Sequence, residues 1–507
     1  MMTRRRLLGL VVVIVALMAG SLLQGPILER RVSLRLTVNP DIMANLPPQV
    51  AFTQVLLGGF RGLAVDFLWA RSTRLEVQGK YHEALQLAEW ITTLQPHFAG
   101  VWEFQAHNLA YDVAVSTLVP EERWHWVQSG VRLLRDDALE LNPTDRRLHR
   151  ALAWLYYDKI SSDRDTLHFY FKRRFATEWH DILGPPPAAS SDYPAWLEPH
   201  RERLQSQHRL DVDLMADLVR ECGPLDWRHP ATHGLYWLLQ GRLRDALQAS
   251  VVRLPEAPPY SAAVKSALQR FYADARVGIC AQDLVVSGRV VMEPFRYEPA
   301  PEVLNFLERV ETGFHGPAAA AELAPQRIEH ALIQLLSWYH FAGDEAAAEV
   351  WRGRLQQEFS RGQRRTDQYQ LPIVELLLEE LLRELEGIDH LRTLVNLQLY
   401  NSLQRGVTQG RRDVARRYRE FATILHQRGP ERAAADQTPL PGLDELFFET
   451  VAAYLIASTR SCTPQHKSVV WKSLPQELRT QLRPAVEERT FPQARHEGLD
   501  PAELFPR

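Results

Sequence analysis

Apolar residues recur every three to four positions along most of this 507-residue chain. That is the spacing of helices with one face to bury, and strict alternation of the strand type is rare. The clearest stretch runs from Val65 to Phe98, VDFLWARSTRLEVQGKYHEALQLAEWITTLQPHF, 34 residues in all. Phe67, Leu68, Ser72 and Leu75 share one face of a first helix, and Ala84, Leu87, Ala88, Ile91 and Leu94 share one face of a second. Gln78-Gly79-Lys80 supplies the turn between them, and Pro96 stops the second helix. Two helices cannot bury both faces alone, so the pattern predicts neighbours of the same kind.

The pattern supplies such neighbours. A second unit opens at Ala99 and closes with Leu139-Glu140-Leu141-Asn142-Pro143, and a third opens at Arg146 and loses its regularity over DTLHFYFKRRFATEWHDILG. PPPAASSDYP reads as a linker, and helical spacing resumes from Leu204 to Arg220. Between Val251 and Met292 the pattern is poorest, with LVVSGRVV compatible with a short hairpin or a helix end. Regular pairs return over 326–430, ERAAADQTPLPG reads as a second linker, and Asp444 to Ser458 with His466 to Glu488 form a terminal helical cap with a loosely held tail from Phe491.

The motif of the first unit resembles the tetratricopeptide repeat family, through Ser72, Gly79, Tyr81, Ala84 and Pro96. Arg71, Ala88 and Ile91 depart from the family pattern. Trp102, Ala106 and Leu109 continue the resemblance in the second unit, which has about ten extra residues around Pro120-Glu121-Glu122, and Leu152, Ala153 and Tyr156 continue it in the third. Gly-Pro-Leu-Asp-Trp-Arg-His-Pro and LLGGFRGLAVDFLW are also similar to stretches of uncharacterised bacterial envelope proteins carrying such repeats. The resemblance implies an all-α solenoid of degenerate units whose first helices line a concave partner-binding groove. Carried over position by position, that groove comprises Asp66, Trp69, Thr73 and Glu76, then Glu103, His107 and Tyr111, then Arg147, Arg150, Trp154 and Tyr157.

Thr3-Arg4-Arg5-Arg6 precedes seventeen uncharged residues, Leu7 to Leu23. As a helix that run spans roughly 25 Å, enough for a tilted membrane crossing. The arginines place the N-terminus in the cytoplasm, so the expectation is one anchor in the inner membrane with the bulk of the chain periplasmic. A cleaved signal peptide at Ala19-Gly20-Ser21, or a twin-arginine export signal, are the competing readings. The resulting organisation is a basic segment 1–6, an anchor 7–28, a stalk 29–48, repeats over 49–184, an irregular helical middle over 185–325, repeats over 326–430, a linker 431–442 and the cap and tail 443–507.

Composition adds mostly exclusions. Lys+Arg 59 against Asp+Glu 62 offers no electrostatic reason to expect nucleic-acid binding. Cys222, Cys280 and Cys462 are too few and too scattered for a disulfide framework. Cys222, Asp226, His229 and His233 have tempting ligand spacing, but Pro230 fits a first helical turn. That puts His229 at a cap, off the face of His233, and favours a turn in which Asp226 and Arg228 satisfy local backbone groups. Gly58, Gly59 and Gly62 lack the strand and Lys-Ser/Thr of a phosphate loop. The expectation is therefore a membrane-anchored, non-catalytic scaffold for protein partners, with no cofactor, metal or small-molecule substrate. Two alternatives stand beside it: an accessory subunit of an envelope transporter or secretion complex, and a metal-dependent enzyme with its site near Cys222 to His233.

Overall fold

The computed structural model describes residues 61–506 apart from 118, 254–259, 294, 320–323, 360–366, 384, 434–438, 457–462 and 497. The N-terminal run Leu7–Leu23 and the stalk lie outside the described residues. Among the described residues no helix is long and apolar enough to cross a membrane. The fold is all-α apart from one two-stranded antiparallel hairpin. It divides into two compact units, residues 1–155 with 240–264, and residues 156–239 with 265–507.

In the first unit, α1 (Arg61–Val77) and α2 (Tyr81–Leu94) form a helical hairpin closed at Gly79. Gly79 has φ +73°, a backbone region in which side-chain-bearing residues are strained. The hairpin packs closely because small residues line the crossing. Ala84 and Ala88 are fully buried, and Ser72 Oγ donates to the Ala84 carbonyl at 3.2 Å. Val65, Ile91 and Val101 complete its core.

The next hairpin follows the same logic with longer arms. α3 (Ala99–His107) runs on through a π-helical segment, Asn108–Val113, and α4 (Pro120–Arg132) through another, Leu133–Ala138. A methyl group on Gly130 would sit 2.8 Å from the Ala106 carbonyl, so glycine sets how closely these arms cross. The Pro96 carbonyl accepts from Trp102 Nε1 and from Asn142 Nδ2, both at 2.8 Å. The turn ending one hairpin is thereby tied to the turn ending the next. α5 (Arg146–Trp154) opens on Asp145, whose carboxylate caps the Arg147 and Leu148 amides.

His149 on α5 is buried, with Nε2 donating to the Pro143 carbonyl at 3.0 Å. Burial lowers its pKa to about 4. The folded state thus holds a neutral imidazole that the unfolded chain protonates below its ordinary value of 6.5. Stability is full above pH 6.5 and is lost as pH falls toward 4, by about 2 kcal/mol at pH 5 from this group alone. Urea unfolding at pH 7.5 and pH 5 is expected to show that loss. His149→Gln, which keeps a donor but cannot be protonated, should reduce it, and an unchanged pH dependence would refute the assignment.

In the second unit the chain continues through a π-helical segment, Leu155–Ser161, into α6 (His168–Leu183). The segment read as a Pro-rich linker is more ordered than expected. It carries the turn Ser190–Asp192 and runs into the short helix Tyr193–Leu197, held because the buried Tyr193 hydroxyl donates to the Leu225 carbonyl at 2.6 Å. The helical spacing over Leu204 to Arg220 is divided at Arg209, which adopts a left-handed conformation before α7 (Val212–Cys222). α8 (Pro230–Arg253), of which the residues up to Leu239 belong to this unit, starts on the proline that fits a first turn. α9 (Ala275–Ser287) ends directly before β1 (Arg289–Val291), paired with β2 (Arg296–Glu298), so LVVSGRVV is both a helix end and a hairpin. Cys222 and Cys280 are buried free thiols.

Further hairpins follow. α10 (Ala324–Ala342) and α11 (Glu345–Phe359) turn at Gly343, with φ +83°, and α12 (Ile388–Asn401) leads through a π-helical segment, Ser402–Gly406, to α13 (Arg412–Arg432). Pro430 lies inside the last turn of α13, where the sequence suggested an end. The tail expected to be loose is instead packed: Phe505 is fully buried against Trp471, whose Nε1 donates to the Pro506 carbonyl.

Candidate functional site

The residues expected to line a groove are distributed unevenly. Asp66 and Thr73 are exposed on α1, and Thr73 Oγ1 donates back to the Trp69 carbonyl. Trp69 is half-buried and packs on Phe98 and Phe104, with ring centroids 6.1 and 5.1 Å away, so it fills the hairpin core. The side chain of Glu76 lies outside the described residues. Glu103 on α3 pairs with the exposed Arg147 on α5, joining the first helices of successive hairpins. His107 is exposed and stacks on Tyr111 at 4.4 Å. Arg150 and Trp154 are half-buried on α5. Tyr157 belongs to the second unit, beside Asp283.

A concave feature of the first unit lies elsewhere. A cleft of about 620 Å³ is lined by Leu85 and Glu89 of α2, Gln105 and Leu109 of the α3 arm, and Trp126 and Arg132 of α4. Two of its three walls are second helices, where the resemblance pointed to first helices. Gln105 is 4% exposed, and its Oε1 has no hydrogen-bond partner among the described residues. This mix of apolar wall, charged rim and a buried amide suits a partner that brings both apolar and polar side chains.

The second unit contains a polar centre assembled from five segments far apart in sequence. Asp283 on α9 accepts from Ser161 Oγ at 2.6 Å and from Ser287 Oγ at 2.8 Å. His229 is fully buried, and its Nδ1 accepts the Ala231 amide at 3.2 Å, which leaves the proton on Nε2 to donate to Ser287 Oγ at 3.3 Å. Burial lowers the pKa of His229, in keeping with a neutral ring. Ser287 therefore accepts a hydrogen bond from His229 and donates its own to Asp283, the reverse of an activated serine nucleophile.

Lys172 on α6 reaches the same centre. Its Nζ lies 5.8 Å from the Tyr297 ring centroid and 6.0 Å from that of Phe169. Burial lowers its pKa, while Asp283 and Asp163 oppose that shift. The Tyr297 ring lies tilted against His229 with centroids 4.6 Å apart, and its buried hydroxyl has no hydrogen-bond partner among the described residues. Burial also raises the Tyr297 pKa, so the phenol stays protonated. His168, with its pKa lowered to about 4 by burial, closes one side.

The four residues with ligand-like spacing do not converge on one point. Asp226 is engaged with Arg228 and the Val290 amide. His233 sits among Tyr156, Phe175, Trp179 and Trp227 and donates from Nε2 to the Trp227 carbonyl at 2.8 Å. Cys222 borders a different, Glu-rich depression. The expected turn, with Asp226 and Arg228 satisfying local groups, is what forms.

Lys172, Asp283, Ser161, Ser287 and Tyr297 were not singled out in the sequence, because no local motif links them. One signal was present: Lys172 is one of only six lysines, with Lys80, Lys159, Lys265, Lys467 and Lys472, in a chain that otherwise uses arginine. No protein-family profile matches this chain, and no curated protein or solved structure matches it either.

Proposed function

We propose that this protein is a non-catalytic scaffold of the tetratricopeptide type that docks partner proteins at the cell envelope. The observation that supports it is the cleft between successive hairpins, where Leu85, Leu109 and Trp126 offer an apolar floor and Glu89 and Arg132 a charged rim. In this reading Leu7 to Leu23 anchors the chain in the inner membrane and holds the helical pairs outside the cytoplasm. Tethering raises the effective concentration of a partner in the same membrane, so weak docking sites act together. The first-helix face of Asp66, Thr73, His107 and Arg147 is a second contact surface, fixed in place by the Glu103–Arg147 pair.

Crosslinking and affinity capture from membranes tests this. Trp126→Ala combined with Arg132→Glu is expected to reduce partner recovery by about tenfold, equivalent to losing about 1.4 kcal/mol of docking. Helical content should not change. Loss with Arg147→Glu in place of the cleft pair would move docking to the first-helix face. Recovery unchanged by either variant would end the scaffold reading.

A further inference from the structure

The polar centre around Lys172 is not needed by a docking surface, and its chemistry is that of an amine prepared to react. Lys172 is half-buried, and among the described residues its Nζ makes no hydrogen bond or ion pair. It lies between two aromatic rings, Phe169, which is 44% exposed, and Tyr297. This contrasts with Lys159, whose Nζ is locked 2.6 Å from Asp165, and with Lys467, which donates to Gln493. Both of those lysines are fully engaged. Among the described residues, Lys172 alone of these three lysines has a head that meets only aromatic rings and makes no hydrogen bond or ion pair.

We propose that Lys172 is a nucleophilic amine that forms an imine with a small, flat aldehyde or ketone admitted past Phe169. The Nζ lone pair attacks the carbonyl carbon and the carbonyl π pair moves to oxygen, which accepts a hydrogen bond from the unpartnered Tyr297 hydroxyl. The carbinolamine then expels that oxygen, and nitrogen closes the C=N bond. The two protons of the amine leave with the oxygen as one molecule of water. Asp283 acts electrostatically on the amine and has both oxygens held by serine hydroxyls, a fixed carboxylate for the proton in transit. The flanking rings supply stacking surfaces for a conjugated carbonyl compound. A desolvated lysine is the residue type that makes such bonds, because loss of water favours the neutral amine over the ammonium. His168, His229 and Asp163 are the other titratable groups acting on this position.

The scarcity of lysine makes the test internal to the chain. The full-length protein is incubated with benzaldehyde and sodium cyanoborohydride at pH 7, and modified peptides are mapped by mass. Lys172 is expected to be benzylated about tenfold faster than the exposed Lys80, Lys265 and Lys472, because burial favours its neutral, nucleophilic form. The Lys172 rate should level off below the ordinary lysine range of pH. Tyr297→Phe keeps both rings and removes a hydroxyl with no partner, so the fold should stand while the Lys172 rate falls toward that of the exposed lysines. Lys172→Arg should abolish the fast product. A Lys172 rate equal to or below the exposed lysines, or one that Tyr297→Phe leaves unchanged, would overturn the proposal.

Discussion

Replacing Asp226 by alanine is expected to destabilise the second unit by about 3–5 kcal/mol, the cost of leaving a buried charge without its partner. Asp226 is 3% exposed and Arg228 7%. The carboxylate accepts from Arg228 Nε at 2.9 Å, from Arg228 Nη2 at 2.7 Å and from the Val290 amide at 2.9 Å. Arg228 Nη2 returns a bond to the Val290 carbonyl at 2.7 Å. One ion pair therefore pins the turn before α8 to strand β1. Alanine at 226 strands a guanidinium and orphans a strand amide together. Asp226→Leu with Arg228→Met should cost much less than Asp226→Ala alone, because no unpaired charge remains. Denaturant unfolding of the three proteins checks the ordering. A loss under about 1 kcal/mol for the single variant would mean that water reaches Arg228.

Gly406→Ala is the second substitution with a large expected effect, about 3 kcal/mol at the upper end of overpacking costs. A Cβ there would lie 2.5 Å from the nitrogen, Cα and Cβ of Ala415. Those are backbone and first side-chain atoms with no rotamer to change, so α13 itself must move. Gly429→Ala offers a graded comparison. Its Cβ would meet Leu391 Cδ1 at 2.3 Å, but that is the end of a side chain with other rotamers. The expected order is Gly406→Ala more damaging than Gly429→Ala, measured by thermal or urea unfolding. The reverse order would show that α13 yields more easily than Leu391.

Features set by neighbouring residues were legible in the sequence. The turn at Gly79, the stops at Pro96 and Asn142-Pro143 and the start of α8 at Pro230 each follow from one or two residues with strong backbone preferences. Features that need distant partners were not. Tyr193 orders a Pro-rich stretch through a carbonyl 32 residues away, and Phe505 binds the tail to Trp471, neither of which periodicity can express. Pro430, Pro484 and Pro492 lie within helices, against their usual role as stops, because tertiary packing outweighs the lost backbone bond. The π-helical segments were equally hidden. Each inserts a residue into an otherwise ordinary helical pattern, and the one at Leu155–Ser161 brings Ser161 to Asp283. That shift of register, together with the hairpin carrying Tyr297, is why the polar centre had no sequence signature while the helical pairs did.

The buried thiols have one more consequence. Burial raises the pKa of both Cys222 and Cys280 well beyond the ordinary thiol range, so neither presents the thiolate that oxidants and disulfide exchange require. Neither sulfur is engaged in a crosslink. At these two positions the packed core is therefore chemically silent toward peroxide or glutathione. The same two side chains would serve unchanged in a reducing or an oxidising compartment.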